Sequence, residues 1–559
     1  MLRSLEGDQI FWRGCGCLST CRTHVSSPLR RYEYMDNLRR IVNNTIISLI
    51  GQAVTWTATF ILTIAYGRFL GASKFGELYF ASTFVMLIGI PIEYGFNQQL
   101  TRDVAQEPDR ASRYFSNIVL LKIVLWTFLY GVLLLLAWLL GYDAEVRVLV
   151  AVCGITLLST GITTTFASLH YATGRVIYPV VGTVLEKGLS AFVGFLLLKH
   201  GASLLTMAFV LLGGSLISGI WQAYWFFRLA GFSLRIDKAT IRDLLRKAVP
   251  FLVYGVLAVI YYRLDVVLLS LMSNSAVVGW YGAAYRLFDT LVFLPSLVIS
   301  TIMYPVFSRL SLTSRADLKL AVEKSMNFLL VVVIPTAAIM IVAAPNIIGF
   351  LYHRAEFGNA FPVLQWLAPG LIFLYINMVL ATVLVSMGQE KKTTIMAAVA
   401  LIFNLGLNLI VIPRHQHVGA AIVTSLTELL FIGPFICFLP GNLLPTGSLA
   451  VGIKAIIASL IMSLAIWPLR PLNIFLILPV AIAVYLVAAT FLRTIPREDL
   501  HALYRSMRDK SKPAISVAMD DQRAREQEDL DDIYGRAAPD DPHGSQPLEY
   551  HRTYQQEVL

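Results

Sequence analysis

The chain carries little charge for its length. Of its 559 residues only 14% are charged, whereas 57% are hydrophobic. Soluble globular proteins typically have about 25% charged residues, so this composition excludes an ordinary soluble enzyme. The net charge is +10. In so apolar a chain we interpret the basic excess as a signal of membrane orientation, and we expect no nucleic-acid partner.

Cysteine and nucleotide-binding motifs are also scarce. The sequence has five cysteines, three of which lie within residues 15–21. No second cysteine or histidine cluster completes a site with them, so we expect neither a disulfide framework nor a metal site. Residues 1–40 contain no apolar run long enough for a signal peptide. A phosphate-binding loop of the form G-x-x-x-x-G-K-[ST] is absent, so we expect no ATP hydrolysis.

Long apolar runs occupy the middle of the chain. A membrane-spanning helix needs about 20 predominantly apolar residues. This criterion predicts about fourteen spans, at 43–66, 77–100, 117–140, 146–169, 176–198, 203–227, 248–272, 277–303, 326–352, 361–386, 393–413, 418–439, 448–468 and 472–492. The predicted fold class is therefore an all-α polytopic membrane protein.

Lysine and arginine are distributed unevenly among the segments that join the spans. If the N-terminus is cytoplasmic, the cytoplasmic segments hold 26 of these residues and the outer segments hold 7. Positively charged loops remain on the cytoplasmic side of a membrane. We therefore expect a multi-pass protein of the cytoplasmic (inner) membrane with both termini in the cytoplasm.

An internal repeat divides the spans into two groups. Gly76–Ala81 opens the second span, and the similar segment Gly279–Ala284 opens the eighth, 203 residues later. Gly174-Arg175 and Gly388-Gln389 form a second pair at an offset of 214 residues. Because each copy holds an even number of spans, the copies run parallel. The repeat thus predicts two parallel six-helix bundles around a central cavity, with two extra C-terminal helices.

The predicted domains follow from this division. They are a polar N-terminal extension at 1–40, a six-helix bundle at 41–230, a cytoplasmic linker at 231–247, a second six-helix bundle at 248–440, helices thirteen and fourteen at 441–492, and a disordered cytoplasmic tail at 493–559. Met35, just before the first span, is an alternative start of the protein. Residues 520–559 hold eleven acidic and four basic residues, a composition typical of disorder.

Several segments are similar to one family of transporters. They are Gly71, Phe75-Gly76, Glu93–Gly95, Arg263–Leu269, Val278–Leu287, Ser386–Gln389, Asn404, Asn408, Ile412-Pro413 and Val418–Ala421. Over roughly residues 40–440 the chain resembles the polysaccharide transporter family, which contains the O-antigen and exopolysaccharide repeat-unit flippases. That family belongs to the multidrug/oligosaccharidyl-lipid/polysaccharide exporter superfamily.

The resemblance implies a function. A member of this family flips polyprenyl-diphosphate-linked oligosaccharides from the cytoplasmic to the outer leaflet by alternating access, for the synthesis of O-antigen, capsule or exopolysaccharide. The implied partners are the lipid-linked oligosaccharide, membrane lipid and other polysaccharide-assembly proteins. No enzymatic activity and no cofactor are implied, apart from H⁺ or Na⁺ as a coupling ion.

Two other functions within the superfamily stay open, and one outside it is disfavoured. A multidrug or organic-cation antiporter shares the six-plus-six architecture, and a lipid II flippase also has fourteen spans. A membrane polysaccharide polymerase or ligase needs catalytic polar loops outside the membrane. Every predicted outer loop here is short and has no catalytic constellation, which argues against such an enzyme.

Ionisable residues in the hairpin of spans seven and eight are the main functional candidates, because such groups are costly inside a membrane. Arg263 and Arg286 lie equally deep, roughly 14 Å from the turn. Arg286 can pair with Asp289 on its own helix or with Asp265 across the hairpin, and either pairing leaves Arg263 less compensated. We predict that Arg263, supported by Arg286, contacts the substrate diphosphate. The alternative is a purely structural network of all four charges.

Further polar residues are predicted to serve the cavity. Glu186 and Lys187 are adjacent in span five and either face the cavity or pair with other helices. Asn404 and Asn408 share one face of span eleven, where they either bind sugar hydroxyls or hold helices together.

Two carboxylates are predicted to carry a coupling ion. Glu93 and Glu428 lie within predicted spans and have no basic partner in their own spans. A desolvated carboxylate of this kind exchanges a proton readily at neutral pH. Pairing with another helix is the alternative, and the sequence does not reveal it.

Overall fold

The computed structural model describes residues 28–93, 95–107, 110–229, 236–352 and 354–494. All regular elements in these ranges are helices, and twelve of them are long and apolar enough to cross a membrane. The chain is therefore a multi-pass, all-α membrane protein, as predicted. Residues 1–27 of the predicted extension, 231–235 of the predicted linker and 495–559 of the predicted tail lie outside the described ranges.

The first bundle contains six helices. They are α1 (Pro28–Glu93), α2 (Phe96–Gln106), α3 (Ala111–Leu139), α4 (Ala144–Ala172), α5 (Ile177–Lys199) and α6 (Leu204–Leu229). α1 packs against α4 and α5, and α6 packs against the same two helices. The short amphipathic helix α2 begins within the last residues of the second predicted span and packs against α4.

The second bundle follows the same plan. Its helices are α7 (Lys238–Met272), α8 (Ser275–Val298), α9 (Tyr304–Thr313), α10 (Arg315–Val342), α11 (Ala344–Leu351), α12 (Arg354–Phe357), α13 (Ala360–Ser386) and α14 (Glu390–Phe438). A π-helical segment, Ile299–Met303, joins α8 to α9. The short helix α9 thus follows α8 as α2 follows α1.

Two further helices complete the membrane domain. They are α15 (Gly447–Ile466) and α16 (Ile474–Phe491). α15 packs against α10, and the Tyr485 hydroxyl of α16 donates to the Val331 carbonyl of α10 at 2.8 Å. These two helices have no counterpart in the first bundle, which agrees with the prediction that they are an addition to the repeat.

Two long helices each contain two predicted spans. α1 breaks at Gly71, where φ is 76° and ψ is 173°, a conformation open mainly to glycine. α14 breaks at Gln416, where φ is 46° and ψ is −129°. Gly71 falls between the first and second predicted spans, and Gln416 falls between the eleventh and twelfth. Twelve apolar helices therefore accommodate about fourteen predicted spans.

The two bundles meet in a reciprocal glycine contact. A Cβ added to Gly76 would overlap the Ser275 carbonyl oxygen, and a Cβ added to Gly279 would overlap the Ala72 carbonyl oxygen. Ala72 and Ser275 are 203 residues apart, as are Gly76 and Gly279. Equivalent positions of the two copies therefore exchange equivalent contacts, as expected across a two-fold axis between parallel repeats. The contact confirms the predicted repeat.

The start of α7 is attached to the first bundle. Asp237 caps α7 by accepting from the backbone nitrogens of Ala239 and Thr240, and it pairs with Arg113 at the start of α3. Hydrogen bonds from the Thr240 hydroxyl and from Arg113 lower the pKa of the Asp237 carboxyl. Leu244, on the next turn, is buried among hydrophobic side chains of the first bundle. α7 therefore connects the two bundles at this end.

We name the two ends of the pair of bundles after the two ends of α7. The hairpin end is the end at which α7 turns into α8, at residues 273–274. The linker end is the opposite end, at which α7 begins. The reciprocal glycine contact lies at the hairpin end, because Gly279 is in the first turns of α8.

Candidate functional site

A polar cavity of about 560 Å³ lies between the two bundles. α1 and α5 line it from the first bundle, and α7 and α8 line it from the second. Four predicted site residues are among its lining side chains: Lys187, Arg263, Arg286 and Asp289. Arg286 follows Gly279 by seven residues, about 10 Å along α8, so the cavity lies on the linker side of the glycine contact. We call it the central cavity.

Arg263 is held from three directions. Its Nη2 lies 2.9 Å from Asp289 Oδ2, and its Nη1 donates to the Tyr79 hydroxyl at 3.3 Å. Its Cζ lies 5.3 Å from the centroid of the Tyr285 ring, within the range of a cation–π interaction. The positive charge of Arg263 is therefore compensated by the protein.

Arg286 has no anionic partner among the described residues. Its Nε is buried without a hydrogen-bond partner, and its Cζ lies 5.4 Å from the centroid of the Tyr79 ring. Neither expected partner is available, because Asp289 reaches across the hairpin to Arg263 and Asp265 bonds elsewhere. This corrects the expected pairing. The less compensated arginine of the central cavity is Arg286.

Asp265 does not line the central cavity. It is 4% exposed, accepts a hydrogen bond from the Tyr281 hydroxyl of α8 and accepts another from the Val266 backbone nitrogen at 2.8 Å. Its carboxylate therefore ties α7 to α8 and satisfies its own polar atoms within the second bundle.

Glu186 and Lys187 pair with each other on α5. Lys187 Nζ lies 2.7 Å from Glu186 Oε1, and the Lys187 side chain is 38% exposed whereas that of Glu186 is 12% exposed. Lys187 is the member of the pair that lines the central cavity. It adds a third basic group to Arg263 and Arg286, from the first bundle.

Glu93 has a basic partner on another helix. Lys122 of α3 places its Nζ 3.6 Å from Glu93 Oε1 and donates to the Gly161 carbonyl at 2.7 Å. Glu93 also accepts from Asn97 and Thr164, each at 3.1 Å. The carboxylate lines a separate cavity of about 270 Å³, mostly within the first bundle, rather than the central cavity.

Glu428 is buried inside the second bundle among neutral donors. Its Oε1 accepts from the Tyr261 hydroxyl at 2.7 Å, and its Oε2 accepts from Asn377 Nδ2 at 2.9 Å. No basic side chain of the described residues forms an ion pair with it. Glu428 therefore differs from Glu93, whose partner is a lysine.

Asn404 and Asn408 lie in the core of the second bundle. Asn404 Nδ2 donates to Thr427 Oγ1 at 3.1 Å, and Asn408 Nδ2 donates to Asn404 Oδ1 at 2.8 Å. Both side chains are buried and neither lines the central cavity. The bond from Asn404 to Thr427 connects the two halves of α14.

A second cavity, of about 360 Å³, adjoins the central cavity. Thr290 of α8 lines both. The other walls are mostly apolar side chains of α8, α10, α13, α15 and α16, such as Met340, Leu364, Met462 and Ile482. We call it the apolar cavity. Thr290 is therefore a common wall of a polar space and an apolar space.

Side chains from both bundles close the hairpin end. Arg68 Nε of α1 donates to the Leu351 carbonyl at 2.8 Å. The Ala72 backbone nitrogen donates to Glu356 Oε2 at 3.2 Å, and Trp280 Nε1 donates to the Glu356 carbonyl at 2.6 Å. Arg68 and Ala72 belong to the first bundle and their partners to the second. The bonds of Arg68 and Ala72 therefore join the two bundles at the hairpin end, whereas that of Trp280 positions Glu356 within the second bundle.

Sequence comparisons place the chain among exporters and flippases. Residues 41–311 match the family described as polysaccharide biosynthesis protein, and residues 250–410 match the MatE family. A relative from Haloferax volcanii, described as probable low-salt glycan biosynthesis flippase Agl15, is 22% identical over 408 residues, which cover 70% of this chain and 81% of the relative. The chain belongs to the multidrug/oligosaccharidyl-lipid/polysaccharide exporter superfamily. The predicted resemblance is therefore confirmed.

Solved structures of this superfamily share the fold. The lipid II flippase MurJ in an inward closed conformation superposes with a TM-score of 0.65 at 15% identity, over 80% of this chain and 99% of that one. An inward-facing multidrug resistance transporter of the MATE family superposes with a TM-score of 0.54 at 13% identity, over 70% and 98% of the two chains. At these identities the likeness shows the fold alone.

Several residues of the exporter were not singled out from its sequence. Lys122, near the start of the third predicted span, is fully buried. Thr55, Thr59 and Thr63 line the central cavity together, and their spacing of four residues puts them on one helix face. That spacing is visible in the sequence and is the signal by which they are recognisable.

Proposed function

We propose that the exporter flips polyprenyl-diphosphate-linked oligosaccharides across the cytoplasmic membrane by alternating access, for the synthesis of a polysaccharide such as O-antigen, capsule or exopolysaccharide. The observation that carries this proposal is the uncompensated Arg286 in the central cavity. A guanidinium group matches the oxygens of a phosphate in charge and planar geometry. Arg286 is therefore the principal diphosphate contact, with Arg263 and Lys187 in support.

The charge balance of the central cavity favours an anionic substrate. Lys187 and Arg263, which line it, are paired with Glu186 and Asp289, so Arg286 leaves an excess of one positive charge in its wall. An organic cation would be repelled by this wall, which argues against the multidrug antiporter. A lipid II flippase also transports a lipid diphosphate and remains the second candidate.

The apolar cavity supports a substrate with a lipid tail. It adjoins the central cavity at Thr290, only four residues from Arg286 on α8. A polyprenyl chain is favoured in an apolar space and its diphosphate near a guanidinium group. One molecule that spans both spaces satisfies both preferences.

The orientation of the exporter follows from its basic loops. We propose that the linker end is cytoplasmic, that both termini are cytoplasmic and that the domain boundaries are those expected from the repeat. With the hairpin end closed by Arg68 and Glu356, the cavity in this conformation receives its substrate from the cytoplasmic side. Partner assembly proteins would meet the exporter at that face.

Glu428 is the better supported of the two predicted coupling residues. Its environment holds neutral hydrogen-bond donors, so an exchanged H⁺ or Na⁺ would alter the local charge. Glu93 is already neutralised by Lys122. Asp265, Glu186, Asn404 and Asn408 were predicted cavity residues. Their observed bonds support the structural alternative.

A reconstituted flipping assay tests the proposal. Purified protein in liposomes receives a fluorescent polyprenyl-diphosphate oligosaccharide, and an impermeant glycosidase reports which leaflet holds it. We expect protein-dependent flipping that Arg286→Ala reduces by at least about tenfold, because a charged hydrogen-bond donor to the diphosphate is lost. Arg309→Ala, at an exposed arginine of α9, is the matched control and retains activity.

The opposite result identifies the alternative. If the wild-type protein does not move the lipid but takes up an organic cation under a proton or sodium gradient, the exporter is a drug antiporter. If Arg286→Ala flips at the wild-type rate, the diphosphate is bound elsewhere.

A further inference from the structure

We propose that the α1 side of the central cavity binds the sugar portion of the substrate. This side, which we call the threonine wall, consists of Gln52, Thr55, Trp56, Thr59, Phe60 and Thr63. The hydroxyl oxygens accept hydrogen bonds from sugar hydroxyls, and Trp56 packs against a sugar ring. The inference rests on the proposed function and assigns the glycan to a different wall from the diphosphate.

The threonine wall carries no charge, unlike the rest of the cavity. All of the charged lining residues come from α5, α7 and α8, whereas α1 contributes only neutral side chains. From Gln52 to Thr63 the wall extends about 16 Å along α1. Thr63 and Arg286 also line one smaller space together, so the wall begins beside the diphosphate contact and continues from it toward the linker end.

The hydroxyl groups of the wall have already used their hydrogens. Thr55 donates to the Gln52 carbonyl at 2.9 Å, Thr59 to the Thr55 carbonyl at 2.8 Å, and Thr63 to the Thr59 carbonyl at 2.9 Å. Three more lining hydroxyls donate in the same way to their own helices: Thr183, Thr290 and Ser296. A hydroxyl has one donor and two acceptor lone pairs. The oxygens therefore offer only acceptors to a ligand.

A surface of acceptors selects among the parts of a lipid-linked glycan. The oxygens of an ionised diphosphate only accept hydrogen bonds, so they gain nothing from the threonine hydroxyls of this wall. Sugar hydroxyls donate, so they match it. A metal or organic cation would also be attracted to oxygen atoms, but Lys187, Arg263 and Arg286 in the same cavity oppose it.

Gln52 and Trp56 complete the wall. Neither side chain has a hydrogen bond among the described residues. The Trp56 ring stacks on Phe293 of α8, with centroids 4.1 Å apart and an interplanar angle of 30°. An aromatic face packs well against the apolar face of a sugar ring, and the indole nitrogen supplies a donor. A sugar can therefore replace Phe293 as the partner of Trp56.

A binding experiment with two probes tests the inference. Protein in nanodiscs is titrated with undecaprenyl diphosphate and with undecaprenyl-diphosphate-N-acetylglucosamine. We expect the wild-type protein to bind the sugar-bearing probe more tightly. Thr59→Val preserves the volume of the side chain. It lowers the affinity for the sugar-bearing probe by about fivefold and leaves the affinity for the sugar-free probe unchanged. Trp56→Leu lowers the affinity for the sugar-bearing probe by about tenfold.

Three further variants separate recognition from structure. Thr59→Ser keeps the hydroxyl and retains wild-type affinity for both probes. Thr57→Val removes a hydroxyl that makes the same bond to its own helix, at 2.8 Å from the Ala53 carbonyl, but does not line the central cavity, so both affinities stay unchanged. Arg286→Ala lowers the affinity for both probes, because both carry the diphosphate.

The possible failures have different meanings. Two results would overturn the proposal that the threonine wall binds the sugar: equal wild-type affinity for the two probes, or an equal loss of affinity for both probes in Thr59→Val. Either result would leave the proposed diphosphate site intact. Failure of the wild-type protein to bind either probe overturns the proposed function itself.

Discussion

At the scale of single residues, the sequence identified the charges of the central cavity but not their pairing. Arg263, Arg286 and Asp289 line one cavity, as the depth argument predicts. Which arginine pairs with Asp289 depends on side-chain geometry across two helices, and residue spacing along one helix does not determine it. The observed bond joins Arg263 to Asp289 at 2.9 Å. Arg286 is therefore the arginine that we propose as the principal diphosphate contact.

The pairing of Glu93 with Lys122 was likewise not predictable from the sequence. A partner on another helix is invisible in the sequence, and Lys122 lies only five residues from the predicted start of the third span. Lys122 is fully buried and its nearest carboxylate is Glu93, at 3.6 Å. We predict that Glu93→Gln lowers the free energy of unfolding by about 3 kcal/mol, because the lysine charge is left uncompensated.

A double variant measures this coupling. Lys122→Met in the Glu93→Gln background removes the uncompensated lysine charge, so we expect most of the lost stability to return. Thermal unfolding of the purified protein in detergent is the measurement. If Glu93→Gln is as stable as the wild type while gradient-driven flipping is abolished, Glu93 is a coupling residue rather than half of a structural pair.

At the scale of elements, the apolar helices were predictable and the short ones were not. Every predicted span except 326–352 lies on one of the twelve apolar helices to within two residues at each end, because the length and apolarity of a span are local properties of the chain. The exception runs from α10 through Ala343 into α11. α2, α9, α11 and α12 have 11, 10, 8 and 4 residues. They are too short for the criterion of about 20 residues, and their helicity depends on the bundles on which they pack.

The start of α7 supports a prediction on pH dependence. Its capping residue Asp237 has a pKa lowered by bonds from Thr240 and Arg113. A carboxyl with a lowered folded-state pKa contributes stability above its ordinary pKa, and this contribution is lost as the pH falls toward the folded value. We expect Asp237→Asn to be less stable than the wild type at neutral pH and the difference to narrow below about pH 4.

The pH series requires a neighbouring control. Lys238→Ala changes an exposed residue next to the cap and is expected to follow the wild-type curve. Melting temperatures recorded between neutral and acidic pH provide the measurement. A difference between Asp237→Asn and the wild type that stays constant down to pH 3 would show that the ionised carboxylate does not stabilise α7.

At the scale of the whole molecule, the repeat predicts which surfaces of the two bundles are equivalent. Gly76 and Gly279 were identified from the sequence as repeat partners, and they lie where the bundles touch. The sequence did not reveal that they touch each other's copy, because the axis that relates the bundles is set by the packing of all the helices. Closure of the hairpin end therefore depends on the absence of side chains at these two positions.

This dependence predicts how the conformational equilibrium responds to a side chain at the contact. In Gly279→Val the added atoms overlap the Ala72 backbone, which has no flexible end that can move aside. We expect the hairpin end to remain open. A cysteine at Ser82, which lines the space beside Tyr79 and Arg286, then reacts at least about tenfold faster with an impermeant thiol reagent from the hairpin side, which corresponds to about 1.4 kcal/mol in the equilibrium.

The experiment uses a background without the five native cysteines, so that only Ser82→Cys reacts. Gly213→Val is the matched control, because a Cβ at Gly213 meets no atom within 4 Å and labelling should equal that of the parent. Flipping slows in Gly279→Val because the closed hairpin end is one of the two states that alternating access requires. Unchanged labelling would mean that the bundles separate elsewhere, with the glycine contact intact in both states.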